Sequence, residues 1–278
     1  MTVLLIVNRA KPGAVALIDE ITAFCRRRNA DTIVCFSDEA GEEIALSEKI
    51  GLVVTLGGDG TVLHTARRLK GEIPVAAVNL GTVGFITEWN RDNWQTALEL
   101  FFDDRAVFSR RLMLAVELNR SGGTVFRSAL NEAAVCAEGI AKLASFDVKI
   151  DGSFVGRIRA DGLLCATPTG STAYSAAAGG PICDPETEVL LITPVCPYTL
   201  SGRPLVVPSH KTVTISPSRE NKTELVLTLD GQEAIKLNQE DSLTVRIDQT
   251  KLLLVKDSER HFYEVLRNKL NWPGGAHA

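Results

Sequence analysis

The spacing of apolar positions changes near residue 109. Before it, short apolar runs alternate with segments whose apolar residues recur every three or four positions. This predicts strands at 3–7, 31–36, 52–56 and 75–79 and helices at 14–28, 61–69 and 91–102, the last capped by Asn90 or Asp92. Such alternation predicts an α/β N-terminal domain with a Rossmann-like parallel sheet over residues 1–108. From Ser109 onward, strand-length runs are separated by turn residues: 112–119, 124–129, 146–150, 162–166, 212–216, 224–229, 242–247 and 252–255, with Asp151-Gly152 as a hairpin turn. This half predicts an all-β C-terminal domain over 109–255. Residues 258–272 read as a helix stopped by Pro273 and Gly274; this C-terminal helix is expected to return to the first domain, joining 256–278 to 1–108.

Composition narrows the classes. With 278 residues, 45% of them hydrophobic, the chain can bury a full core and is not of the disordered type. A net charge of −4 provides no bulk attraction to nucleic acid or anionic membrane, so neither is an expected partner and an anionic ligand must be held by a local site. No apolar stretch approaches a membrane span, and residues 2–7 are too short for a signal segment. The six cysteines form no C-x-x-C pair and read as buried, reduced thiols of a cytoplasmic protein.

The first candidate site is Gly57-Gly58-Asp59-Gly60-Thr61, which follows an apolar run and precedes a helix. Glycines there allow a sharp turn and a close ligand approach, and the helix N-terminus favours a phosphate. The run fits neither G-x-x-x-x-G-K-[ST] nor G-x-G-x-x-G. A second glycine-rich strand exit, 79–85, would lie at the same carboxyl end of the sheet, where ligands of such sheets gather.

The second candidate is 161–182, where a strand runs into a hydroxyl-rich loop and a short alanine-rich helix ending at Gly179-Gly180-Pro181. Ser171 or Thr169 would cap that helix. Small side chains at Ala173, Ala176 and Ala177 would let a flat ligand lie close to the backbone, with Tyr174 offering a ring or a phenol. By itself the segment fits a well-capped structural helix equally well.

Together with Asn131-Glu132, Leu200 to Leu205, Asp230-Gly231-Gln232 and the closing Leu266 to Trp272, these segments occur in the order and spacing of NAD kinases. The chain resembles that family over nearly its whole length, and the block 167–175 is its most specific part. The resemblance implies transfer of the γ-phosphate of ATP to the 2′-hydroxyl of the adenosine ribose of NAD, giving NADP. It implies Asp59 as proton acceptor. It sets Asp59, Gly60, Asn131, Glu132, Lys142, Arg159, Asp161, Thr172, Ala173, Tyr174, Ser175, Ala176, Ala177 and Gln232 around NAD. Gly57, Gly58, Gly60, Thr61 and His64 fall at the donor phosphates; His64 reads equally well as an ordinary helix residue. A divalent cation, Mg²⁺, is expected with ATP, and no side chain is assigned to it. Self-association as a dimer or tetramer is implied as well. The competing readings are a lipid kinase of the diacylglycerol or sphingosine type, which shares the glycine turn, and a non-catalytic NAD(P) sensor. The sensor has no use for a carboxylate beside phosphates.

Overall fold

The computed structural model describes residues 1–38, 50–69, 71–82, 84–139, 143–221, 223–257 and 262–271. The chain divides into two compact units, Met1–Arg110 with Leu252–Ala278, and Arg111–Lys251. The first opens with β1 (Thr2–Val7), α1 (Ala14–Arg27), β2 (Asp31–Phe36), β3 (Ile50–Gly57), α2 (Asp59–Ala66), β4 (Pro74–Asn79), β5 (Trp89–Asn90), α3 (Trp94–Phe102) and β6 (Val107–Arg111). β1 and β4 are buried at five consecutive positions, as strands covered on both faces must be. α1 buries Leu17, Ile21, Phe24 and Cys25 on one stripe and ends before Asn29, which takes a left-handed φ of 55°. α3 starts three residues later than the apolar spacing predicts. Asn90 Oδ1 instead accepts the Asp92 and Asn93 N–H groups at 2.8 and 3.2 Å, closing a turn ahead of the helix.

The second unit contains β7 (Leu114–Arg120), β8 (Gly123–Ala129), β9 (Glu132–Ala137), β10 (Ala144–Ile150), β11 (Ser153–Ala160), β12 (Gly162–Ala166), α4 (Tyr174–Ala177), β13 (Val189–Val195), β14 (Leu205–Pro208), β15 (Val213–Pro217), β16 (Leu225–Leu229), β17 (Glu233–Leu237) and β18 (Ser242–Ile247). Two antiparallel sheets form, ordered β11-β10-β15-β18-β7-β8 and β14-β13-β12-β9-β16-β17. Alternate residues of β7, β10 and β15 meet Leu163, Ile192 and Leu227 in one shared core, which makes the unit a sandwich. Asp151 and Gly152 both have positive φ, 48° and 80°, and close the β10–β11 hairpin as the sequence predicts.

β19 (Leu252–Lys256) and α5 (Phe262–Leu270) complete the first unit. The turn-separated pattern sets 252–255 with the β-rich half, but Leu253 and Leu254 pair in parallel with Pro74 and Val75 of β4. The four buried residues of β19 explain this, because a strand buried on both faces belongs in a covered parallel sheet. The first sheet runs β2-β1-β3-β4-β19-β6, with β5 paired to β4. β1 has β2 on one side and β3 on the other, both parallel, so the chain order reverses between β1 and β3. Phe262 of α5 packs 6.5 Å from Phe85, which returns this helix to the first unit. The expected helix stop at Pro273 and Gly274 lies outside the described residues.

All six cysteines are free. Cys25 and Cys165 are buried as predicted, whereas Cys35, Cys136 and Cys183 are half-buried and Cys196 is exposed. No described helix is long and apolar enough to cross a membrane.

Candidate active site

In the first unit, Gly57 and Asn79 are the last residues of neighbouring strands and stand in register, and Leu80 N–H donates to Gly57 C=O at 2.7 Å. The two glycine-rich exits are therefore adjacent. α2 begins directly at Asp59, with Gly58 extended ahead of it. Segment 84–87 wraps the Asp59 carboxylate. Oδ2 accepts Phe85 N–H at 2.8 Å, while Oδ1 accepts Ile86 N–H at 3.3 Å, Thr87 N–H at 3.1 Å and the Thr87 hydroxyl at 3.1 Å. A methyl built on Gly84 would overlap Asp59 Oδ1, so the close wrap requires glycine there. Behind it, Asn79 Nδ2 donates to Thr87 Oγ1 at 2.9 Å and to Thr82 C=O at 2.6 Å.

An ionised carboxylate offers about four acceptor sites. Four protein donors reach Asp59, three of them at Oδ1 and one at Oδ2, so its position is fixed while Oδ2 keeps one acceptor site open. Among the described residues no group of three or more His, Cys, Asp or Glu side chains converges as a cation site.

His64 sits one turn along α2. Its Nδ1 accepts from Arg68 Nη1 at 2.9 Å, which leaves the proton of the neutral ring on Nε2. Burial, then Arg68 and Arg67, push its pKa down to about 4, so the ring is neutral at pH 7 and its remaining nitrogen, Nε2, is a hydrogen-bond donor. Arg68 is thus packed against His64. Gly60 and buried Thr61 lie in the first turn of α2, where the Thr61 carbonyl accepts the Thr65 hydroxyl at 2.8 Å.

In the second unit, the organising group is Asp230, which the sequence marks only as part of the Asp230-Gly231-Gln232 run, without a role. Its carboxylate accepts the N–H groups of Leu130, Asn131 and Glu132 at 3.0, 2.7 and 3.2 Å. Asp230 and Gly231 have φ of 51° and 63°, the turn conformation between β16 and β17 that an Asp-Gly pair favours. Held in this way, the Asn131-Glu132 dipeptide is buried, yet Asn131 Oδ1 and Glu132 Oε2 find no hydrogen-bond partner. Buried acceptors are normally satisfied, so two neighbouring exceptions need an explanation. The other Glu132 oxygen takes the Tyr174 N–H. Burial, and then the Asp230 charge, push the Glu132 carboxyl up to about 7.

The hydroxyl-rich loop is fastened to the same dipeptide. Thr167 N–H donates to Asn131 C=O at 2.9 Å, and the Thr167 hydroxyl donates to Leu130 C=O at 2.6 Å. Gly170 presses so closely on the Asn131 backbone that a methyl there would overlap its carbonyl. The predicted caps are corrected. A 3₁₀ turn, Thr169–Thr172, precedes α4, and Ala173 is the residue ahead of α4. Ser171 Oγ instead bonds Cys183 N–H at 3.0 Å and Cys183 C=O at 3.2 Å, and Thr169 Oγ1 has no partner. Ser175 turns its hydroxyl to Thr193 at 2.9 Å. Thr172, Ala173 and Ala176 are half-buried, while Ala177 and Tyr174 are exposed, and the Tyr174 hydroxyl stands 3.9 Å from Cys136 Sγ. Asp161 is close enough to Tyr174 and Cys136 to help raise both pKa values. Arg159 stacks on Tyr198, its Cζ 4.9 Å from the ring centroid. Gln232 is exposed in the β16–β17 turn, and Lys142 lies outside the described residues. The structure therefore clusters Asn131, Glu132, Asp161 and 172–177 in this unit, and Gly57 to Thr61 with His64 in the other.

Residues 36–106 match the ATP-NAD kinase N-terminal domain, and residues 130–257 match the ATP-NAD kinase C-terminal domain. The chain is 37% identical over 276 residues to the NAD kinase of Treponema denticola, covering 99% of this chain and 97% of that protein. It is 44% identical over 223 residues to the NAD kinase of Koribacter versatilis, covering 79% and 77%. Among solved structures, yeast NADH kinase complexed with NADH superposes with a TM-score of 0.85 at 24% identity, covering 99% of this chain and 89% of that one. An NAD kinase from Archaeoglobus fulgidus in complex with ATP gives 0.78 at 24% identity, covering 98% and 99%. These two establish the shared fold.

Proposed function

The chain belongs to the ATP-NAD kinase family, and on that premise we propose that it transfers the γ-phosphate of ATP to the 2′-hydroxyl of the adenosine ribose of NAD, making NADP. The observation that carries this reading is the pair of buried, unpartnered acceptors, Asn131 Oδ1 and Glu132 Oε2. Two adjacent acceptors suit the paired hydroxyls of a ribose, as an acidic residue does in dinucleotide folds. A lipid headgroup gives no reason for such a pair, and the lipid-kinase alternative falls away with the two family matches.

Phosphoryl transfer passes through a loose transition state, so a kinase mainly positions groups and stabilises charge. Asp59 fits an orienting role. Oδ1 is saturated by three donors, whereas Oδ2 accepts only the Phe85 N–H and has its second acceptor site free for the acceptor hydroxyl. Asp59 receives the hydroxyl proton as the ribose oxygen–γ-phosphorus bond forms and the bond from the γ-phosphorus to the ADP oxygen breaks, ADP leaving. Gly57, Gly58, Gly60 and Thr61 leave the donor phosphates room at the strand exit, and His64 offers them Nε2–H. Tyr174 and Ala173 to Ala177 line the adenosine, with Asp161, Arg159, Lys142 and Gln232 around the remainder of NAD. A divalent cation accompanying ATP would supply charge neutralisation there, and no side chain of this chain is assigned to hold it. A dimer or tetramer, and a cytoplasmic location, accord with the family resemblance and the free thiols.

Incubation with ATP, Mg²⁺ and either NAD or NADH, followed by chromatographic product analysis, tests the reading. NADP or NADPH is expected, and the better substrate identifies the preferred acceptor. Tight NAD binding with no phosphorylated product would make the chain a sensor.

A further inference from the structure

We infer that Lys11, at the exit of β1, contacts the phosphate chain of the ATP donor; this rests on the kinase reading above. Ligands of open α/β sheets sit outside the carboxyl ends of strands where the chain order reverses. Here the reversal falls between β1 and β3, so the loop leaving β1 borders the glycine turn leaving β3. Asn8 N–H extends the pairing to Leu56 C=O at 2.9 Å. The chain then turns sharply, with Ala10 N–H donating to Asn8 Oδ1 at 3.0 Å and Lys11 N–H to Asn8 C=O at 3.1 Å. This folds Lys11 back over the exits. Its Nζ lies 3.6 Å from where a Cβ on Gly81 would stand, and Asn79 Oδ1 lies 3.8 Å from the same point. The ammonium of this half-buried lysine therefore faces the bare backbone of the β4 exit, next to the strand that carries the glycine turn.

Charge at this end of the sheet favours a further cation beside Lys269, whose Nζ lies 5.1 Å from the Phe85 ring centroid. Asp59 sets a negative group at the turn, and His64 is neutral at pH 7. Arg9 lies over the Phe36 ring at 3.6 Å and beside Asp38, and Arg68 is engaged with His64. Lys11 has no ion pair among the described residues. A triphosphate brought to the glycine turn meets a carboxylate, and a cation at the β1 exit offsets that charge on the protein side. A lysine acts there as a mobile point charge, as lysines in other phosphate sites do.

The test is the partition of KM values in Lys11→Ala and Lys11→Arg, together with calorimetric titration of inorganic tripolyphosphate. Lys11→Ala is expected to raise KM for ATP about tenfold, leave KM for NAD within twofold, and weaken tripolyphosphate binding by a similar factor. Lys11→Arg should recover most of both losses. Unchanged KM for ATP and unchanged tripolyphosphate binding in Lys11→Ala would overturn the inference, as would an equal rise in both KM values. If the wild-type chain makes no NADP, the kinase reading fails, and the tripolyphosphate titration still decides whether Lys11 holds a phosphate chain; a wild-type protein that binds none overturns the assignment.

Discussion

Asp59 and Glu132 are both carboxylates at strand ends, one in each unit, and their surroundings treat them in opposite ways. Asp59 meets four protein donors, whereas Glu132 meets the Tyr174 N–H and leaves one buried oxygen unpaired beside an unpaired Asn131 oxygen. The first is fixed by the protein before any ligand arrives, and the second is left unsatisfied. A preformed carboxylate suits a group that must hold its position during reaction, and an unsatisfied one suits a group whose partner is the ligand. The contrast breaks most directly at Asp59. Asp59→Asn keeps the size but turns an N–H₂ toward N–H donors, so turnover should fall by about 10³-fold or more while NAD affinity changes little. Steady-state rates and calorimetric NAD titration check it, and retained turnover would show that the wrapped carboxylate is only a structural strut.

The same wrap can be loosened without touching the carboxylate. Gly84→Ala places a methyl on Asp59 Oδ1, so segment 84–87 must move away. Small displacements of a catalytic group cost on the order of 10²-fold in rate, and that loss in kcat is expected here with KM for NAD nearly unchanged. A normal kcat would mean that the donors from 85–87 do not position Asp59.

How far this contrast could be read from the sequence depends on what kind of signal each part leaves. β1, β3 and β4 of the first unit are legible because burial on both faces leaves unbroken apolar runs, as in 3–7 and 75–79, whereas the short β5 and the alternately exposed β6 leave none. In the second unit, β13 was missed: it carries Pro194 at a ladder position opposite Leu163, and proline argues against an interior strand. β9 was missed as well, since Glu132 to Ala137 is rich in alanine, which has little strand preference. The glycine turn and the Asn-Glu pair were found, the latter by resemblance. The groups that hold them were not, because Thr87 is 28 residues from Asp59 and Asp230 is 98 from Glu132, and spacing along the chain carries no sign of such pairing.

Asp230 sharpens the comparison from the other side, because it supports Glu132 mechanically while raising its pKa. Hydrogen bonds to a charged group contribute about 1.5–3 kcal/mol each. Asp230→Asn turns an amide N–H₂ toward one of the three N–H donors, so a loss of about 2 kcal/mol is expected in urea unfolding. KM for NAD should rise several-fold as the dipeptide loosens. The Glu132 titration should also move down, because the neighbouring negative charge is gone. Unchanged stability together with an unchanged titration would remove Asp230 from the site.

The smallest expected effect is the most specific one, and it lies in the pH dependence of Glu132→Gln. In the folded chain the Glu132 carboxyl keeps its proton up to about pH 7, against an ordinary value of 4.5, so folded protein binds more protons than unfolded protein between those limits. Stability from this group is then fully present below about pH 4.5 and declines as pH rises through 7. The glutamine variant stays neutral throughout and escapes the decline, so relative to wild type it should gain on the order of 5 °C in melting temperature between pH 5 and pH 8. Ligand binding reverses the sign for the wild-type protein alone. Ribose hydroxyls donating to Glu132 Oε2 favour the ionised form, so NAD should bind more tightly as pH rises from 6 to 8 in wild type, with a flatter profile in Glu132→Gln. Parallel pH profiles for the two proteins would mean that the unpaired oxygen does not receive the nucleoside.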